Sequence, residues 1–316
     1  MINAATWKKG FRSGVETTWR LGKVIFPITL FITILQHTPL IDWIVRLFTP
    51  VMSLFGLSGD AALVLVLGNL LNLYAGIGAM LTMSMSVKEV FILSVMLSFS
   101  HNLLLESAVA SRIGVKAWIF ILVRLGLAVF AGILINLFWQ GGSETAVYGI
   151  VPEKQAELHG WLEIAWNGLQ TALLGVCQLA VIVIPLMIGI QLLKDAQVLP
   201  YLARGLAPLT RLLGVSSKTG VTLMAGLIFG IAYGAGAMIQ AAKEDNLSTK
   251  DLYLTSLFLV ACHAVVEDTL LFVPLGVNGF VLLGLRLAGA IVLTVITAKI
   301  WTYVENRGRR MQRGVV

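Results

Sequence analysis

Two segments of this chain concentrate side chains that could do chemistry inside an otherwise apolar sequence. Val90 to Ile113 carries Ser98, Ser100, His101, Asn102, Glu106 and Ser107, and Leu252 to Pro274 carries Cys262, His263, Glu267, Asp268 and Thr269. An ionisable side chain costs about 2.5 to 3.5 kcal/mol at the centre of a membrane helix, so such groups need a partner or an aqueous cavity. Imidazole and carboxylate together can bind a polar solute, relay a proton, or hold a metal ion. On an ideal helix His263 and Glu267 share a face, as do Asn102 and Glu106, being four apart. His101 and Glu106 are five apart, about 140° around the axis, and reach one ligand only across a broken helix or a large solute.

These residues must be positioned by membrane-spanning elements. The chain is 58% hydrophobic and only 12% charged, against about 25% charged residues in soluble domains. Apolar runs of roughly 20 residues, the length that spans hydrocarbon as helix, recur from Leu21 to near Tyr303. No long period-two alternation is present and glycine is spread through the apolar runs, which favours helices over an outer-membrane barrel and predicts an all-α membrane protein. The basic N-terminus has no cleavage site after a short apolar core, so no removable signal is expected. Cys177 and Cys262 both lie in apolar segments and indicate no disulfide framework. The net charge of +7 comes from basic residues at the tails and between spans, so it reads as topology and predicts no nucleic-acid partner.

The chain repeats itself. Phe26-Pro27 aligns with Ile184-Pro185, Pro50 with Pro208, and Gly76-Ile77-Gly78-Ala79-Met80 with Gly234-Ala235-Gly236-Ala237-Met238, all 158 positions apart. After an insertion around Lys243 to Asn246, Lys88 aligns with Lys250, His101 with His263, Arg124 with Arg286 and Trp139 with Trp301, 162 apart. Shared apolar composition does not align rare residues in two constant registers, so the chain is a duplication. The expected organisation is a basic N-terminus at 1–13, a first repeat at 14–139, an acidic linker leading into the next span at 140–172, a second repeat at 173–301 and a basic tail at 302–316.

Equivalent loops report orientation through the positive-inside rule. Lys8, Lys9, Arg12, Arg20 and Lys23 precede the first span, and Arg307, Arg309, Arg310 and Arg313 close the chain, so both termini are expected in the cytoplasm. The linker carries Glu144, Glu153, Glu157 and Glu163 against Lys154 and is expected outside. The loop after the first span holds Asp42 and Arg46, whereas its equivalent holds Lys194, Arg204, Arg211 and Lys218. The repeats are therefore expected in inverted orientation. Each shows four apolar segments but needs an odd number of crossings. The expected architecture is about three transmembrane helices per repeat, an interfacial segment and a re-entrant helical hairpin. Ala61 to Met83 and Gly220 to Ala242 are the hairpin candidates, since Gly68, Gly76 and Gly78, or Gly226, Gly230, Gly234 and Gly236, weaken a continuous helix. Such hairpins line binding sites in inverted-repeat transporters. The alternative use of these glycines is close helix packing.

The candidate solute-binding residues are Asn69, Asn72 and Tyr74 in the first hairpin, Tyr233 and Gln240 in the second, and His101, Asn102, Glu106, His263, Glu267 and Asp268 in the polar spans. For the hairpin side chains the other reading is interhelical hydrogen bonding. Arg124 and Arg286 are expected to pair with Glu106 and Asp268 of their own halves, or to snorkel from a helix end. A metal set is open as an alternative through Cys262, His263 and Glu267, although adjacent Cys262 and His263 point about 100° apart on a helix. No phosphate-binding loop, His-Glu-x-x-His helix or Gly-x-Ser-x-Gly elbow is present, so neither an enzyme nor a cofactor is expected.

The glycine-rich Gly68 to Met80 and Gly226 to Met238, with the polar spans around His101 and His263, resemble the nucleoside-recognition or Gate-domain membrane proteins, which include the spore maturation proteins. They are more distantly similar to the membrane core of the ferrous iron transporter B and to concentrative nucleoside transporters. The resemblance implies inverted repeats with hairpins. The absence of a GTPase domain departs from the iron transporter. The expected function is a secondary carrier in a bacterial-type inner membrane. It would move a small polar solute, nucleoside-like in chemistry, by alternating access, with Na+ or H+ as coupling ion and a homo-oligomer as a further possibility. The alternatives are a divalent-metal carrier and a non-transporting scaffold or signalling protein of the spore-maturation kind.

Overall fold

The computed structural model describes residues 3–151, 160–197, 199–244 and 246–313, and these are helical apart from short connections and the extended linker at 139–151, whose Thr145 makes an isolated antiparallel bridge to Ser86. Its surface is that of a protein dissolved in lipid. Arg124 and Arg286 are among the largest fully buried side chains, whereas Phe138, Leu162 and Phe280 stand 80%, 85% and 90% exposed. Among the described residues, five helical stretches are long and apolar enough to cross a membrane: Ala4–Leu35, Val87–Ile113, Ala117–Phe138, Trp161–Asp195 and Gly279–Arg307.

The helices in chain order are α1 (Ala4–Leu35), α2 (Pro39–Met52), α3 (Ala61–Leu70), α4 (Leu73–Met80), α5 (Val87–Ser100), α6 (Leu103–Ile113), α7 (Ala117–Phe138), α8 (Trp161–Asp195), α9 (Leu199–Gly205), α10 (Ala207–Leu213), α11 (Gly220–Glu244), α12 (Thr249–Ala261), α13 (Glu267–Phe272) and α14 (Gly279–Arg313). They gather into two compact units. The first comprises Met1–Leu104, Arg124–Gln197 and Val266–Leu283, and the second Leu105–Val123, Val198–Val265 and Gly284–Val316. These units are not the sequence repeats. Each contains the equivalent piece of the other repeat, the end of its polar span.

In the first unit α1 and α8, equivalent helices of the two repeats, lie against each other along their length. They run antiparallel, since Gly10 meets Ile188, Gly14 meets Ile184 and Gly22 meets Val176. A Cβ on Gly14 would come within 2.8 Å of the Ile184 Cα, so the approach depends on the absent side chain. The same unit holds α3 packed on α4. The break between them falls at Leu71 and Asn72, and the Asn72 Oδ1 accepts from the Ala75 N–H at 3.0 Å to start α4. In the second unit the equivalent break lies at Gly230, inside α11, with φ 74° and ψ 173°, a conformation open essentially to glycine alone.

Both polar spans begin with the same device. Ser86 and Glu89 form a reciprocal capping box on α5, and Ser248 and Asp251 form one on α12. Glu89 also accepts from the Ser58 N–H at 3.0 Å, and Asp251 from the Ser216 N–H at 2.8 Å, each tying its span to the loop before the hairpin.

Candidate functional site

The polar spans are not continuous helices, which corrects the ideal-helix geometry expected for them. In the first unit α5 stops at Ser100, His101 has ψ 157°, and Asn102 is left-handed at φ 57°. In the second unit α12 stops at Ala261, buried Cys262 ends it, and Ala264 is left-handed at φ 42°. His263 and Glu267 therefore do not share a helical face. A helix can break at membrane depth only where the freed backbone groups find partners in protein. Here they do so twice in the same way. The Asn102 N–H donates to the Gly68 carbonyl at 2.9 Å, and the Ala264 N–H to its counterpart, the Gly226 carbonyl, at 3.1 Å.

The arginines complete the breaks. Arg124 donates from Nε to the Phe99 carbonyl and from Nη2 to the His101 carbonyl, both at 2.7 Å. Arg286 donates from Nη2 to the His263 carbonyl at 2.6 Å. Both are fully buried, so neither snorkels to a surface.

The histidines are held by one geometry. His101 Nδ1 lies 2.6 Å from the Leu97 carbonyl and His263 Nδ1 lies 2.7 Å from the Leu259 carbonyl, so in each ring Nδ1–H donates and Nε2 is left to act. In the second unit His263 Nε2 stands 3.3 Å from Glu106 Oε1, both groups buried. In the first unit the donor atoms of His101 and Asp268, the equivalent residues, lie within 4.8 Å of each other. Each unit thus pairs a histidine of one repeat with an acid of the other. The first unit adds a hydrogen bond from the buried Tyr74 hydroxyl to Glu267 Oε1, which again joins the repeats.

The remaining expected residues fare differently. Asn69 is half-buried with its Oδ1 shielded from solvent and without a hydrogen-bond partner among the described residues. Asn72 is the α4 cap, and Asn102 is the left-handed residue of the break. Gln240 is exposed and donates to Glu244 at 2.7 Å, so it stands outside the buried set. The side chain of Tyr233 lies outside the described residues. Of the candidate hairpin glycines, Gly230 forms the break in α11, whereas Gly76, Gly78, Gly234 and Gly236 do not form breaks. Gly76, Gly78 and Gly234 lie within helices, where an added Cβ would stand 3.0–3.1 Å from a neighbouring atom, while Gly236 faces open space. Close packing, not helix weakening, explains the first three.

Sequence reasoning noted Ser98, Ser107 and Thr269 but placed no serine or threonine among the binding candidates, and it missed Thr255. Ser98 and Thr269 in the first unit, and Ser107 and Thr255 in the second, are buried with no partner among the described residues. Ser107 and Thr269 are repeat equivalents, each one position after the acid of its pair. That recurrence was the available signal.

A helical, multi-pass membrane protein whose polar spans break at paired histidines is the class that fold and site define. A family model described as nucleoside recognition, Gate, matches residues 18–121 and 176–276, and the chain belongs to that family. It is 56% identical over 292 residues to the uncharacterized membrane protein YvoD of Bacillus subtilis (strain 168), covering 92% of this chain and 94% of that protein. No solved structure matches it.

Proposed function

We propose that the protein is a secondary carrier for a small polar, nucleoside-like solute, working by alternating access of inverted repeats in a bacterial inner membrane with both termini cytoplasmic. It binds and moves its solute without catalysing a reaction. The observation that carries this reading is the His263–Glu106 pair, repeated as His101 and Asp268. With Nδ1–H committed to a carbonyl, Nε2 faces the carboxylate across 3.3 Å, and a proton can reside on either group. A solute N–H or O–H can replace that proton as donor, which links solute binding to proton movement and favours H+ as the coupling ion. The antiparallel packing of the equivalent helices α1 and α8 supports inverted repeats, and the family description supports the solute class.

The test is uptake of radiolabelled uridine and adenosine by proteoliposomes under an imposed pH gradient. Gradient-driven uptake should fall at least tenfold in Glu106→Gln, a change that keeps the shape and removes the ionisable group. Uptake that ignores both the gradient and this substitution would remove the proton-coupled carrier reading. The His101 and Asp268 donors could also serve a divalent cation, and uptake of Fe(II) but neither nucleoside would favour that alternative. No uptake of either class would favour a scaffold.

A further inference from the structure

A polar cavity lies within the first unit, apart from the histidine–acid pairs. It has a volume of about 230 Å³, and its walls are the end of α1, the Leu81–Ser84 connection after α4, the linker at Thr145–Val151, and α8 at Asn167 and Thr171. The linker wall is strapped in place. Its Ala146 N–H donates to the Met85 carbonyl at 2.9 Å, and the carbonyls of Glu144 and Gly142 accept from the N–H groups of Val87 and Lys88 at 2.9 and 2.8 Å.

The lining is rich in hydrogen-bonding groups and, among the described residues, contains no Asp, Glu, Lys or Arg. His37 Nδ1 is 2.8 Å from the Thr33 carbonyl, so in the neutral ring Nε2 is an acceptor. Tyr148 is only 8% exposed, and its hydroxyl makes no hydrogen bond among the described residues, although the Met85 backbone approaches it. Burial pushes the Tyr148 phenol far above its ordinary pKa, so it remains a donor. A buried hydroxyl without a partner costs free energy unless something in the cavity takes its hydrogen.

We propose that this cavity binds a small uncharged solute carrying both hydrogen-bond donors and acceptors, through Tyr148, His37, Gln36 and Asn167. A charged ligand would meet no counter-charge among the described wall residues, at a large desolvation cost. Water alone could fill the space with about seven molecules at ~30 Å³ each, and the experiment separates that case. The floor is the last turn of the hairpin, where the Thr82 hydroxyl donates to the Ala79 carbonyl at 2.7 Å. An occupant therefore rests on the hairpin that carries Tyr74. The site does not depend on the transport reading above.

The test is equilibrium dialysis of labelled uracil, nicotinamide and myo-inositol against the full chain in detergent. At least one should bind saturably, about tenfold more weakly to Tyr148→Phe and to Asn167→Ala, the loss expected for one hydrogen bond. Glu106→Gln, which alters the other site, should leave that affinity unchanged. Tyr148→Phe gives up at most the Met85 backbone contact, so without solute it should unfold within a few degrees of the wild type, which separates lost binding from lost folding. Three non-binding solutes, affinities indifferent to both cavity substitutions, or binding lost in Glu106→Gln would each overturn the proposal.

Discussion

The buried arginines and tyrosine do structural work that their residue types alone leave open. Arg286 holds the carbonyl of His263 at 2.6 Å, and an uncharged substitute strands that oxygen inside the protein. Arg286→Met should lower stability by about 2 to 4 kcal/mol, read as a fall in unfolding temperature in detergent; an unchanged value would show that the break stands without the arginine. Tyr74→Phe removes a hydroxyl donor from the buried Glu267 and should cost about 1 to 3 kcal/mol, with Glu267→Gln in the same background recovering part of it. At this scale the sequence showed which residues matter by repeating them, as with His101 and His263. It did not show which meet. The contact of the Glu106 carboxylate with a histidine of the other repeat was not foreseen, because chain separation carries no information about pairs that folding brings together.

The elements are set by short local devices. Asp251 caps α12 and accepts from the Ser216 N–H, so Asp251→Ala should cost about 1 to 2 kcal/mol, and Asp251→Asn, which can still accept, should recover most of it in the same thermal assay. Gly230 turns the second hairpin with a glycine-only backbone, and Gly230→Ala should cost about 1 to 3 kcal/mol. The equal change at Gly236, where a Cβ meets nothing, should be nearly silent. A similar loss at both positions would place the turn elsewhere. The length and apolarity of the long helices were legible because hydrocarbon thickness dictates them. The breaks at 101–102 and 262–264 were not, since residues such as Ser100 and Ala261 carry no stop signal. What ends these helices is the hydrogen bonding of Asn102 to Gly68 and of Ala264 to Gly226, contacts between distant parts of the chain.

At the scale of the whole molecule, the charge pattern predicts both termini on the cytoplasmic side and the linker outside. In a Cys177→Ser background, Glu144→Cys should react with an impermeant maleimide in intact cells, and Glu305→Cys only after permeabilisation. Labelling of both from outside would contradict the assigned orientation. The sequence by itself determined that the protein lives in a bilayer and that it is a duplication. Those properties follow from composition and from register, both of which add up along the chain. The tertiary structure decided the exchange of Leu105–Val123 and Val266–Leu283 between repeats, the pairing of each histidine with the other repeat's acid, and the polar cavity beneath the linker. These depend on which backbone groups the broken helices leave unsatisfied and on what lies within reach of them, and that is settled only when the chain has packed.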